Sequence, residues 1–202
     1  MSETRNDRIV WIDCEMTGLD FVHDQLVEVA CIITDSDLNE IGPGYQSVIH
    51  CPDERLDVMD PIVVEMHTAS GLLREIPHGM TLEQAENGLF DYISEHVIEA
   101  AKAPLAGSSV YVDRIFLARD MPRVNAYLHY RIIDVSSIKE LVRRWYPKTY
   151  FAAPLKTGNH RALGDIRDSI TELKYYREAV FATGTGPDTI TARGIATHYP
   201  PH

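Results

Sequence analysis

From Ile9 to Ile12 every residue is apolar, and the run ends at Asp13 and, beyond Cys14, at Glu15. β-Branched and aromatic residues without a polar interruption suit a strand buried on both faces, so a central strand is predicted over residues 9–13. Thr17-Gly18 breaks it. Residues 25–33, QLVEVACII, predict a second strand, with Leu26, Glu28, Ala30 and Ile32 on one face and Val27, Val29, Cys31 and Ile33 on the other. A polar link over 35–39 leads to a third strand over 45–50. Three strands in a row predict an antiparallel meander.

A helical period then takes over. Asp60-Pro61 reads as an N-cap followed by proline at the first helical position. Thr81 and Gln84 have capping-box spacing and open a helix to about residue 101, with Leu82, Ala85, Leu89, Ile93 and Val97 on one stripe. A short strand over 105–110, a helix over 113–121 and a fifth strand over 131–135 follow. Ser137 and Glu140 have capping-box spacing for a helix to Trp145, residues 147–158 read as a loop, and a last helix spans 161–181. The order predicts an α/β fold, a mixed five-stranded sheet flanked by helices in a single domain. The segment 183–202 is rich in Gly, Pro and Thr, has no period, and reads as a mobile or loosely packed tail.

Composition narrows the setting. A chain of 202 residues, 45% hydrophobic and 24% charged, suits one soluble domain with a sizeable core. No run suits a membrane span, and the first eight residues lack the apolar core of a secretory signal, so a cytoplasmic location is expected. Cys14, Cys31 and Cys51 have no zinc-site spacing and are expected as reduced thiols, Cys14 and Cys31 in buried strands. The net charge of -11 argues against coating long nucleic acid. It leaves room for a short anionic substrate held by local contacts and metal ions.

The chemistry starts at Asp13 and Glu15. Side chains at i and i+2 of a strand share a face, at most ~7 Å apart. Two carboxylates so placed at the edge of a core repel each other, and a divalent cation between them relieves the repulsion. Alone, the pair equally describes an acidic strand end in solvent. Asp113 follows the fourth strand and Asp165 lies in the first turns of the last helix, five residues after His160. Five residues advance about 140° beyond a full turn, so His160 and Asp165 do not share a stripe. His160 is expected in the entering turn and Asp165 on the helix, both facing one cleft.

The ordered set Asp-x-Glu-x-Thr-Gly at residues 13–18, Asp113, and His-x-Ala-x-x-Asp at residues 160–165 resembles the DEDDh exonuclease superfamily, whose fold is ribonuclease H-like. Within it the chain is similar to the oligoribonuclease family. The longest matches are WIDCEMTGL at 11–19, MHTASGL at 66–72, HYR at 129–131, DVSSIKEL at 134–141 and ELKYYRE at 172–178. The resemblance covers residues 8 to 181 and divides the chain into an exonuclease domain, 1–182, and the tail, 183–202. It implies a 3′→5′ exoribonuclease acting on short RNA, from dinucleotides to roughly pentanucleotides. It further implies two divalent ions, Mg2+ or Mn2+, held by Asp13, Glu15, Asp113 and Asp165, with His160 as general base. Leu19, His67 and Ser109 match substrate-binding positions. Tyr130 and Arg131 match a segment that closes the partner subunit's pocket in a homodimer, Tyr130 with a catalytic role.

The match is imperfect around the substrate. Ile62 stands where the family has a tryptophan, Val112 where it has a glutamine, and Ser108 where it has an asparagine. Ile62 offers apolar contact without an aromatic face, and Val112 has no side-chain hydrogen bond to give. The alternative is a related nuclease acting on longer RNA or on DNA 3′-ends. A catalytically silent binding module fits less well, because no acid of the set is missing.

Overall fold

The computed structural model describes residues 7–156, 158, 160–182 and 184–199. The first six residues, in the segment read for a signal, and residues 183 and 200–202 of the tail lie outside that description. Strands β1 (Ile9–Met16), β2 (Leu26–Thr34) and β3 (Glu40–Val48) form the expected meander. Four helices follow: α1 (Asp53–Leu56), α2 (Pro61–Ala69), α3 (Leu72–Glu75) and α4 (Leu82–His96). The chain continues through β4 (Pro104–Gly107), α5 (Tyr111–Asp120), α6 (Pro122–Tyr127), β5 (His129–Asp134) and α7 (Val135–Trp145). It ends with α8 (Pro147–Phe151), α9 (Ala162–Ala179) and α10 (Thr189–Ala196). The five strands form one mixed sheet in the order β3-β2-β1-β4-β5. β1 pairs antiparallel with β2 and parallel with β4, so it lies at the centre.

Strand β1 has two faces because its side chains alternate. Val10, Ile12 and Cys14 pack with Ala85, Leu89 and Ile93 of α4 and Phe116 and Leu117 of α5. Ile9 and Trp11 pack with Ile166, Ile170 and Tyr176 of α9 and Val142 of α7. The sheet is thus buried on both sides, which explains the unbroken apolar run in the sequence. Continuing the second face past Trp11 leads to Asp13 and Glu15, beside the first turn of α9. The three cysteines are buried free thiols. No helix among the described residues is long and apolar enough to cross a membrane.

Local signals account for several helix starts. Asp60 accepts from the Ile62 amide at 2.8 Å, with Pro61 at the first helical position. At α4, Thr81 and Gln84 exchange both capping-box hydrogen bonds. Helix α7 departs from expectation: it begins at Val135, two residues before Ser137, because the Asp134 side chain caps it. Asp134 Oδ1 accepts from the amides of Ser136 and Ser109, each at 2.9 Å, joining the end of β5 to the turn after β4. The segment read as a loop contains α8, which starts at Pro147. The tail contains α10, capped by Asp188, whose Oδ1 accepts from the Thr191 amide at 2.8 Å. None of its residues is buried.

The largest buried side chain, Trp11, donates from Nε1 to Thr34 Oγ1 at 3.0 Å. Thr34→Val keeps the shape and leaves the indole N–H without an acceptor. The expected cost is about 1–3 kcal/mol, read as a lower urea midpoint at unchanged slope.

Candidate active site

Three elements build the cluster. β1 carries Asp13 and Glu15 on the face below α9, and Asp165 lies in the first turn of α9. One carboxylate oxygen from each of these three residues lies within 4.8 Å of the other two. Asp113, buried in the first turn of α5, reaches β1 from the other layer, and its Oδ1 accepts from the Cys14 amide at 2.9 Å. Helices on opposite faces of the sheet therefore both bring an acid to the same end of β1.

The electrostatics follow from this crowding. Burial, then Asp113, Glu15 and Asp165, hold the Asp13 carboxyl well above the usual range. Burial, then Asp165, Glu28 and Asp113, push Glu15 up to about 8, against the opposing effect of Arg161. Burial raises Asp113 to about 7, although the Cys14 amide opposes it. Burial also raises Asp165, with His160 pulling the other way. Each of the four acids is thus shifted toward its protonated form, a shift that positive charge at the site would oppose. Their oxygen-only donor set fits a hard divalent cation such as Mg2+ or Mn2+.

His160 lies in the turn entering α9, exposed, with a φ of 50° that few non-glycine residues adopt. Its influence on Asp165 puts the two in one electrostatic neighbourhood. His67 is fully buried on α2, and its Nε2 donates to the Met16 carbonyl at 2.9 Å. That bond fixes the proton on Nε2 of the neutral ring. His67 Nδ1 has no hydrogen-bond partner among the described residues and lies 4.0 Å from Glu15 Oε2. Burial lowers its pKa, which keeps the ring neutral beside the acids.

The other expected positions spread around this centre. Leu19 and Ile62, 68% and 75% exposed, line an open cavity of about 540 Å3 together with Thr17, Gly18, Val58 and Val63. Ser109 opens on a second cavity of about 530 Å3, with Asp134, Ser136 and Arg144, and its hydroxyl donates to Ser136 Oγ at 3.1 Å. Ser108 Oγ lies 2.9 Å from Ser169 Oγ of α9, while Val112 packs against the core. Tyr130 and Arg131 are on the edge strand β5, two strands from β1. Tyr130 is 75% exposed, and Arg131 Nε donates to its hydroxyl at 3.1 Å.

Glu28 and Arg161 escape a motif reading. Glu28 faces Glu15 across the β1–β2 pair and has no exposed surface. The available signal is its charge inside the otherwise apolar LVEVACII of β2. Arg161 donates to Glu28 Oε1 from Nε at 3.0 Å and from Nη2 at 2.7 Å.

A mixed sheet between helical layers, with acids converging from β1, α5 and α9, defines an exonuclease of the ribonuclease H-like class. The family model described as Exonuclease (RNase T) matches residues 10–173. Oligoribonuclease of Streptomyces griseus is 61% identical over 191 residues, covering 95% of both chains. That of Streptomyces coelicolor is 60% identical over 194 residues, covering 96% of this chain and 97% of the relative. The chain belongs to the oligoribonuclease family and is a hydrolytic nuclease. The fold also resembles E. coli exonuclease I in complex with a dA16 oligonucleotide, at a TM-score of 0.67 and 16% identity. That match covers 86% of this chain and 41% of the larger protein.

The raised carboxyls couple stability to pH. Glu15 goes from an ordinary 4.5 to about 8 on folding, so its protonated form favours the native state below pH 4.5, and that contribution is lost as pH rises through about 8. Chelator-treated protein should lose Tm across this window, and Glu15→Gln should flatten the loss. Mn2+ should raise Tm more at pH 8 than at pH 5, because only the ionised cluster binds it well. Equal Mn2+ shifts at both pH values in calorimetric scans would contradict the coupling.

Proposed function

We propose that the protein is a 3′→5′ exoribonuclease that hydrolyses short oligoribonucleotides, dinucleotides included, to 5′-mononucleotides. The observation that carries this reading is the meeting of Asp13, Glu15 and Asp165 within 4.8 Å, with Asp113 bonded to the same strand end, in a chain 61% identical to an oligoribonuclease. Asp13, Glu15, Asp113 and Asp165 hold two divalent cations, Mg2+ or Mn2+. Bound there, the cations neutralise charge developing on the phosphodiester oxygens and lower the barrier to attack by water.

The side chains supply the rest. His160 accepts the proton of the attacking water, a task suited to an imidazole at neutral pH. The water oxygen bonds to phosphorus and the bond to the 3′-oxygen breaks. The phosphate leaves on the terminal nucleotide, and the oligomer one residue shorter carries away the 3′-oxygen, which takes up a proton from solvent to become a hydroxyl. His67, neutral and bonded to the Met16 carbonyl, braces the end of β1 beside Glu15 and so supports the substrate pocket from behind. Leu19 and Ile62 give the bases an apolar wall in place of a stacking ring. Ser109 contributes to holding the 5′-phosphate.

A homodimer completes the pocket. Exposed Tyr130 and Ile132 on the edge strand β5, with Trp145 and Phe151 nearby in sequence on α7 and α8, offer apolar surface for a second copy. In that arrangement Tyr130 and Arg131 reach the partner's site, and Arg131 pairs with the substrate's terminal phosphate. Such a cap favours short RNA without a basic groove, consistent with the net charge of -11. The expected place of action is the cytoplasm.

Asp165→Asn should reduce hydrolysis of a 5′-labelled diribonucleotide by at least about 100-fold in Mn2+ while circular dichroism stays native. His160→Ala should lose roughly 100-fold or more near neutral pH and flatten the pH–rate profile. Wild-type rates in Asp165→Asn reject the acid assignment, and an unchanged profile in His160→Ala rejects the base. Faster cleavage of long RNA or single-stranded DNA than of the dinucleotide rejects the short-RNA preference.

A further inference from the structure

Glu28 is a fully buried carboxylate beside the acidic cluster, and its oxygens are already occupied. Oε1 accepts from Gln46 Nε2 at 2.6 Å and from Arg161 Nε and Nη2, and Oε2 accepts from the Ala162 amide at 2.9 Å. Four donors leave it little capacity for a metal ion. Ala162 is the first residue of α9, whose N-cap residue, Arg161, makes no side-chain cap. Glu28 therefore caps the helix from a strand distant in sequence, where a negative charge is also favoured by the helix dipole. Arg161 is a fork between two carboxylates, with Nη1 and Nη2 donating to Glu75 Oε1 and Oε2, each at 2.9 Å.

This arrangement holds the residue immediately before it. His160 has a φ of 50°, a left-handed conformation that sterically disfavours a side chain. Such a conformation persists only when its surroundings over-determine it. On one side of His160 the chain is fixed through the Arg161 guanidinium and the Ala162 amide, both on Glu28. We infer that Glu28 is a positioning residue, which through Arg161 sets the His160 turn and so aims the imidazole at the acidic cluster. The inference rests on His160 being the general base.

The experiment uses Arg161→Lys, which keeps the charge but loses the fork, and Glu28→Gln, which keeps the shape. Each is made alone and with His160→Ala. Single-turnover hydrolysis of a 5′-labelled diribonucleotide in saturating Mn2+ is measured, with KM and Tm, together with NMR spectra of the metal-free protein. Arg161→Lys should lower the rate roughly 10–100-fold with KM within about twofold, Tm close to wild type, and the His160 ring signal displaced. Combined with His160→Ala it should add no further loss, because the pathway runs through His160. Glu28→Gln should behave alike if it folds; if it does not, Arg161→Lys carries the test. Losses that multiply in the double variant, or a wild-type rate in Arg161→Lys, overturn the inference. Full activity of His160→Ala alone rejects the base reading instead, and an undisplaced His160 ring signal in metal-free Arg161→Lys then overturns the positioning on its own.

Discussion

Carboxylate repulsion at the open end of β1 is the constraint to which the surrounding structure answers. Glu15 and Glu28 face each other in register, an arrangement that opposes strand pairing. Asp113 and Asp165 add to it from opposite helical layers. Two local features oppose the repulsion. Arg161 neutralises Glu28 from the α9 side, and raised carboxyl pKa values let the cluster retain protons. The apolar remainder of β1, locked between α4 and α5 on one face and α7 and α9 on the other, supplies the stability against which this strain is held. A site of this kind is destabilising as an ionised cluster and stabilising once a cation is shared, so binding and folding are coupled through the same side chains.

Much of this was legible in the sequence because strand alternation is rigid. Once β1 is a strand with Trp11 inward, Asp13 and Glu15 must continue the same face. The α9 stripe from Ala162 through Tyr176 likewise sets its packing face and leaves Asp165 in the first turn, next to β1. Less was visible where a distant side chain overrides a local signal. Ser137 has good capping spacing, yet Asp134 starts α7, because that carboxylate also gathers the Ser109 amide from the turn after β4. Helices α8 and α10 are too short to display a period. In the sequence Glu28 is one member of a strand face, and nothing local reveals that Arg161 and Ala162, 133 and 134 positions away, bond to it.

His160 illustrates the difference between a motif and a geometry. The spacing His-x-Ala-x-x-Asp states that the two residues are close in sequence, and helix geometry forbids them one stripe. The turn solves the problem by a left-handed residue at His160, followed at once by extended backbone at Arg161, where φ is -126° and ψ is 124°. A chain relaxing from that conformation would turn the imidazole elsewhere while leaving α9 intact. On the C-terminal side the bonds on Glu28 tether the chain through Arg161 and the Ala162 amide.

On the proposed reading, the substrate side follows a different logic from the acidic centre. Leu19 and Ile62 expose apolar surface to a cavity open to solvent, so any grip there is shallow and insensitive to base identity. An aromatic at position 62 would gain a stacking face; isoleucine gains only contact area, and affinity for a base is correspondingly modest. With a net charge of -11, long-range attraction does not compensate. On the proposed reading, affinity must then come from the two ends of the substrate, the scissile phosphate at the cations and the terminal phosphate at Arg131 of a second copy. Two fixed ends joined by a weakly held middle favour a ligand short enough to touch both, and length selection follows from the spacing of the ends.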